Sequence, residues 1–147
     1  MTLENLFKIG QLKSHATDAT EIRRLLDAAR RNIADAHVRQ VSPETRLDAA
    51  YKAIMQAALV ALMANGFRPD TNRPGHHMTV LQSLPTTIGL PNDRLVVLDA
   101  LRRKRNLSDY TGEDVDDISA DNCAREAEQL LRDVTAWLAK RRPDLVN

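Results

Sequence analysis

Residues 53–64 read AIMQAALVALMA, and they are apolar nearly all round. A helix without a polar face is covered on several sides, so this segment belongs at the centre of the molecule. It is too short by itself to span a bilayer, which takes about 20 apolar residues. Many of its residues are alanines, which let neighbouring helices approach closely. Upstream, the SPET of residues 42–45 is a helix start. Ser42 caps, Pro43 suits the first helical position, and Glu44 or Thr45 suits the first turn. Gly66 ends the helix as a left-handed cap would. The central helix is therefore expected from about Pro43 to Asn65.

The segments on either side also carry a helical period. After Thr17 and Asp18, which can cap a helix, apolar residues fall at Ile22, Leu25, Leu26, Ala29, Ile33 and Ala36. Spacings of three and four make one stripe, with Arg23, Arg24, Arg30 and Arg31 mostly off it. FRPDTNRPGHHM, residues 67–78, is the one long irregular stretch. A short third helix is expected next, carrying Met78, Leu81 and Leu84, and TTIGLPND breaks it. Pro91 opens a fourth helix with Leu95, Leu98 and Leu101 inward. TGEDVDD reads as an acidic connector, and Ser119 or Asp121 as the cap of a last helix. That helix turns Ala120, Cys123, Ala127, Leu130, Leu131, Val134, Trp137 and Leu138 to one face, and Pro143 stops it. No repeat and no convincing strand is visible. The expected fold is all-α: an up-and-down bundle of about five helices in a single domain, residues 1–147, with its core at about 18–140.

Composition agrees. Of 147 residues 43% are hydrophobic but only 3% aromatic, so alanine and leucine must build the core. That favours packed helices over a sheet sandwich. The formal net charge is +1, so nucleic acid or an anionic membrane would have to be bound by a local patch. The lone cysteine, Cys123, excludes an internal disulfide and a cysteine-based zinc site. The N-terminus lacks the apolar core of a signal peptide. A cytoplasmic protein is expected, with no membrane partner, no cofactor and no metal.

Two clusters carry chemistry. RRKRNLSDY, residues 102–110, sets Arg102, Arg103, Lys104 and Arg105 in a row before Asn106 and Tyr110. On a helix, Arg102, Arg105, Asn106 and Asp109 share a face. Cations near a helix C-terminus are commonly just a favourable polar end. The functional alternative is phosphate contact, for which guanidinium forks are well shaped. The second cluster is His76 and His77, after a Pro-Gly turn at a helix start. Adjacent histidines diverge on a helix and make no metal site by themselves. A helix start does suit an anion or a proton transfer. No glycine-rich phosphate loop, GxSxG, HExxH or paired CxxC is present. Asp48 is the one carboxylate beside the apolar helix, and a first-turn role against the helix dipole suits it.

The run Arg105-Asn106-Leu107-Ser108-Asp109-Tyr110, the alanine-rich AAYKAIMQAALVALMANGFRP and the following PGHHMTVLQSLP together resemble the HEPN superfamily. The layout is most similar to its SAV_6107-like group, over roughly residues 18–140. The resemblance implies a homodimer whose motifs face one cleft. It also implies binding of RNA or nucleotide phosphates, often in a toxin–antitoxin or defence locus. Residue by residue, Arg105 matches the motif arginine, Asn106 its polar follower, and Tyr110 stands where the family carries histidine. Members with the histidine are commonly metal-independent ribonucleases. A tyrosine near pKa 10 is a poor base at neutral pH, whereas histidine near 6.5 is a good one. The resemblance thus leads first to phosphate binding by Arg102, Arg105, Asn106 and Tyr110. The second reading is an active ribonuclease, with Tyr110 or an imported His76 or His77 as base. The third is a protein-interaction subunit, paired with a nucleotidyltransferase-type antitoxin.

Overall fold

The computed structural model describes residues 2–146. Seven helices and two short strands follow in the order α1 (Leu3–Lys8), β1 (Leu12–Ser14), α2 (Ala19–Ala36), α3 (Pro43–Ala64), β2 (Phe67–Pro69), α4 (His76–Gln82), α5 (Leu84–Thr87), α6 (Asn92–Thr111) and α7 (Asp117–Arg141). A single 3-10 turn, Pro143–Leu145, closes the chain. The fold is the expected all-helical bundle.

Helix α3 is its axis. Ser42 caps it, its hydroxyl accepting from the Thr45 amide, with Pro43 at the first position. Gly66 follows with φ +93°, a conformation that costs glycine little. By length and composition, α3 is long and apolar enough to cross a membrane. Here it is a core helix instead, packed chiefly between α2 and α7, with α4, α5 and α6 also against it. Ala50, Ala53, Ala57, Ala58 and Ala61 are buried and let the neighbouring helices come close.

Arg46 locks one end of this layer. It is 1% exposed, donates through Nε to the Ala36 carbonyl at 2.7 Å, and pairs with Asp117 and Asp121 of α7. One guanidinium thus satisfies the last turn of α2 and the first turn of α7 together. The pairing also corrects the expected cap of the last helix. Asp116, not Ser119 or Asp121, caps α7, accepting from the Ser119 amide at 2.8 Å. The earlier start frees Asp117 and Asp121 for Arg46.

The structure differs from the sequence reading elsewhere too. Strands β1 and β2 pair antiparallel, Leu12 opposite Pro69 and Ser14 opposite Phe67. Three residues are too few to show a period of two, so the sequence carries no strand signal there. The third helix is two: α4 ends at Gln82, and Ser83, bonded to the Val80 carbonyl, leads into α5. Helix α1, capped by Thr2, brings Leu3 into the core, as β1 brings Leu12 and the C-terminal turn Leu145. The packed region therefore extends beyond residues 18–140 at both ends.

Candidate functional site

The α3 helix carries one polar row on an otherwise apolar surface. Asp48, Lys52 and Gln56 lie four residues apart, with Tyr51, Met55 and Leu59 beside them. This face meets α2 only along one edge, where Asn32 bonds Gln56. It forms the floor of a cleft of about 440 Å³, closed by Leu25 of α2, Pro69 of β2 and Thr71 just beyond it, His76, His77 and Val80 of α4, and Arg105 of α6.

The Arg105 guanidinium lies over the Tyr51 ring, 5.4 Å from its centroid. Such stacking suits a weakly hydrated planar cation. Its Nε is 3.0 Å from Asp48 and 3.1 Å from Asp109. Both contacts use Nε, so the two terminal nitrogens make no hydrogen bond among the described residues. They remain as a donor pair beside the cleft.

Tyr51 joins the arginine to the histidines. Its hydroxyl is 3.5 Å from His77 Nδ1, and the two rings are 6.1 Å apart. Tyr51 is only 2% exposed, and burial pushes its phenol up to about 12, so it stays protonated at neutral pH. His77 is pushed below the ordinary histidine value, first by burial and then by the neighbouring His76, Arg105 and Arg102. It is therefore neutral at pH 7. The His76 ring meets that of His77 edge-on at 4.7 Å, and its Nδ1 donates to the Arg73 carbonyl at 3.3 Å. In the tautomer that makes this bond, Nε2 is an acceptor.

The cleft thus brings together residues from the two sequence clusters: His76 and His77 from one and Arg105 from the other. The rest of the basic run divides around α6. Arg102 is turned inward and bonded to Asp99 at 2.9 Å, close enough to act electrostatically on Tyr51 and His77. Arg103 also pairs with Asp99, and with Lys104 it lines a separate groove with Leu107, Glu113 and Asp114. Asn106 is half-buried and does not line the cleft. Tyr110 is 84% exposed and lies outside it. Arg105 and Tyr110 therefore do not meet within one chain's cleft.

The sequence reading missed Tyr51 and underrated Asp48. The signal was present: a polar row at four-residue spacing on the most apolar helix marks a face that the bundle does not cover. What identified Tyr51 was its contact with α4 and α6, which no local pattern carries. Among the described residues, no group of three His, Cys, Asp or Glu side chains is placed to hold a metal ion. Cys123 is buried, its thiol pushed up to about 12 by burial, and faces no cleft.

The cleft has a chemistry of its own. A guanidinium with two unused terminal nitrogens faces two imidazoles across a buried phenol, above a floor that mixes Asp48, Lys52 and Gln56 with Met55 and Leu59. That set can hold an anion, and it can move a proton near neutral pH. No family model matches the chain, and neither a curated protein nor a solved structure matches it.

Proposed function

We propose that this protein binds RNA or nucleotide phosphates in the cleft between α3, α4 and α6, as a cytoplasmic homodimer of the HEPN type. The observation that supports this reading is the meeting of Arg105 with His76 and His77 in one cleft. Arg105 holds the phosphate oxygens with its terminal nitrogens, His77 adds an Nε2 donor while the Tyr51 hydroxyl donates to its Nδ1, and Arg102 adds positive field from behind. Asp48 and Asp109 hold Arg105 by Nε and so orient its free edge. A toxin–antitoxin or defence setting follows from the resemblance of the Arg105–Tyr110 run.

A second reading is favoured by the same histidines. A metal-independent ribonuclease needs a base that Tyr110 supplies poorly at neutral pH. A neutral histidine beside Arg105 fills that role. The 2′-hydroxyl would give its proton to an imidazole while its oxygen attacks the phosphorus. The arginine would balance charge on the phosphorane, and the 5′-oxygen would leave with a proton returned to it.

One experiment separates the two. A labelled single-stranded oligoribonucleotide is incubated with the protein in EDTA, and both binding and cleavage are followed. The binding reading expects affinity that falls as salt rises and a loss of at least about tenfold in Arg105→Ala, with helicity unchanged. Cleavage that is lost in both Arg105→Ala and His77→Ala moves the conclusion to the ribonuclease. Binding that ignores salt and survives Arg105→Ala overturns both.

A further inference from the structure

The cleft has two unlike halves. Along α3, Asp48 and Leu59 are separated by about 16 Å at 1.5 Å per residue. At the Asp48 end stand Arg105, Tyr51 and His77. Toward Leu59 the walls are Leu25, Met55 and Pro69. Leu25, Met55 and Leu59 are only partly buried, so this end is apolar surface that the fold itself leaves uncovered. A phosphate bound at Arg105 fills one end and leaves the other empty.

Two polar groups stand at that apolar end. Gln56 accepts from Asn32 through Oε1 at 2.8 Å, which leaves its amide nitrogen without an acceptor among the described residues. Thr71 is exposed, and its hydroxyl makes no hydrogen bond to another described residue. A hydrocarbon tail would displace water from both without replacing its hydrogen bonds. A flat ring with polar edges answers both, while its faces lie on Leu25, Met55 and Leu59.

We infer that the cleft takes a single unstacked nucleotide, with its phosphate at Arg105 and its base on the Leu25–Met55–Leu59 surface. This rests on the phosphate-binding reading and adds a base subsite to it. A duplex keeps its bases stacked and offers this surface nothing, so single-stranded ends or free nucleotides are the substrate class. Gln56 donates to an acceptor on the base edge, and Thr71 gives or takes a further bond. The subsite uses apolar contact for affinity and two adaptable polar groups for orientation, the usual division of labour in a small-molecule pocket.

The test is calorimetry on the full chain with the four nucleoside 5′-monophosphates, ribose 5-phosphate and octyl phosphate. At least one nucleotide is expected to bind about tenfold or more tighter than ribose 5-phosphate, as the stacking of one base implies. Met55→Ala should erase most of that advantage while leaving ribose 5-phosphate unchanged. Arg105→Ala should weaken every phosphorylated ligand. Ribose 5-phosphate binding as tightly as every nucleotide overturns the base subsite, and octyl phosphate binding tighter than every nucleotide replaces it with a site for a hydrocarbon. If oligoribonucleotide binding depends on Arg105 yet no monophosphate binds, the inference fails and the phosphate reading stands. If the oligoribonucleotide does not bind either, both fail.

Discussion

His77 shows what a single residue reports about this cleft. Its imidazole sits between a buried phenol and three other groups that carry or accept positive charge: His76, Arg102 and Arg105. Burial and these neighbours disfavour the imidazolium, so its folded value lies below the 6.5 of an exposed histidine. The sign follows by linkage: a depressed value means that the unfolded chain binds the proton more readily. The stability due to neutral His77 is complete above about pH 6.5 and is lost as pH falls through the folded value. Thermal melts of the protein and of His77→Gln between pH 7.5 and 5 check this. The melting temperature of His77→Gln is expected to fall less over that range. Parallel curves would mean that His77 is not held neutral by its surroundings. Tyr51 illustrates the limit of residue-by-residue reading. Nothing in its own neighbourhood, DAAYKAIM, distinguishes it from a core aromatic; its role appears only when Arg105 and His77 arrive from distant elements.

At the scale of elements, the long helices were legible because their signals are local. The SPET cap, Gly66 and the apolar run define α3 without reference to the rest of the chain. Short elements were not legible. Strands β1 and β2 have three residues each, and α5 has four, too few to display a period. The start of α7 was misjudged for a different reason. Asp116, Asp117, Ser119 and Asp121 are all acceptable caps, and the choice is made by Arg46, which lies 71 residues before Asp117 and needs Asp117 and Asp121 on one face. Arg46 thus couples the ends of α2 and α7 through α3. Arg46→Ala should cost about 3 kcal/mol, from an arginine-sized cavity and an unanswered Ala36 carbonyl. Arg46→Met fills much of that volume and should cost clearly less. Urea titrations measure both. Equal, small losses would show that neither the guanidinium clasp nor its packing contributes much.

For the whole molecule, α6 is the outlying piece. Only Leu98 and Leu101 of its 20 residues are buried. Val96, Val97, Leu107 and Tyr110 stand exposed along it. The basic run lies on the same helix, split between the cleft and the outer side. A second copy docking on the outer side of α6 would cover these residues and bring Tyr110 near a partner's surface. Light scattering across a dilution series should therefore find a dimer that persists at tens of micromolar. A strict monomer at that concentration removes the shared cleft, and with it any part for Tyr110. The cleft within one chain would be unaffected. Fold class was legible in the composition because alanine and leucine without aromatics allow little else. The site was legible only in halves, since the two motifs lie some 30 residues apart and their meeting depends on the turn through residues 67–75.

The central claim is that Arg105 and His77 serve one anion site. The most direct measurement is NMR of the imidazole resonances of the full chain during titration with a nucleoside monophosphate or a short oligoribonucleotide. His77 and His76 are expected to shift in a saturable way, His15 and His37, which do not line the cleft, are expected to shift less, and Arg105→Ala should remove the shifts while keeping the folded spectrum. The claim is contradicted if His76 and His77 stay unmoved while the ligand perturbs the outer groove of Arg103 and Lys104.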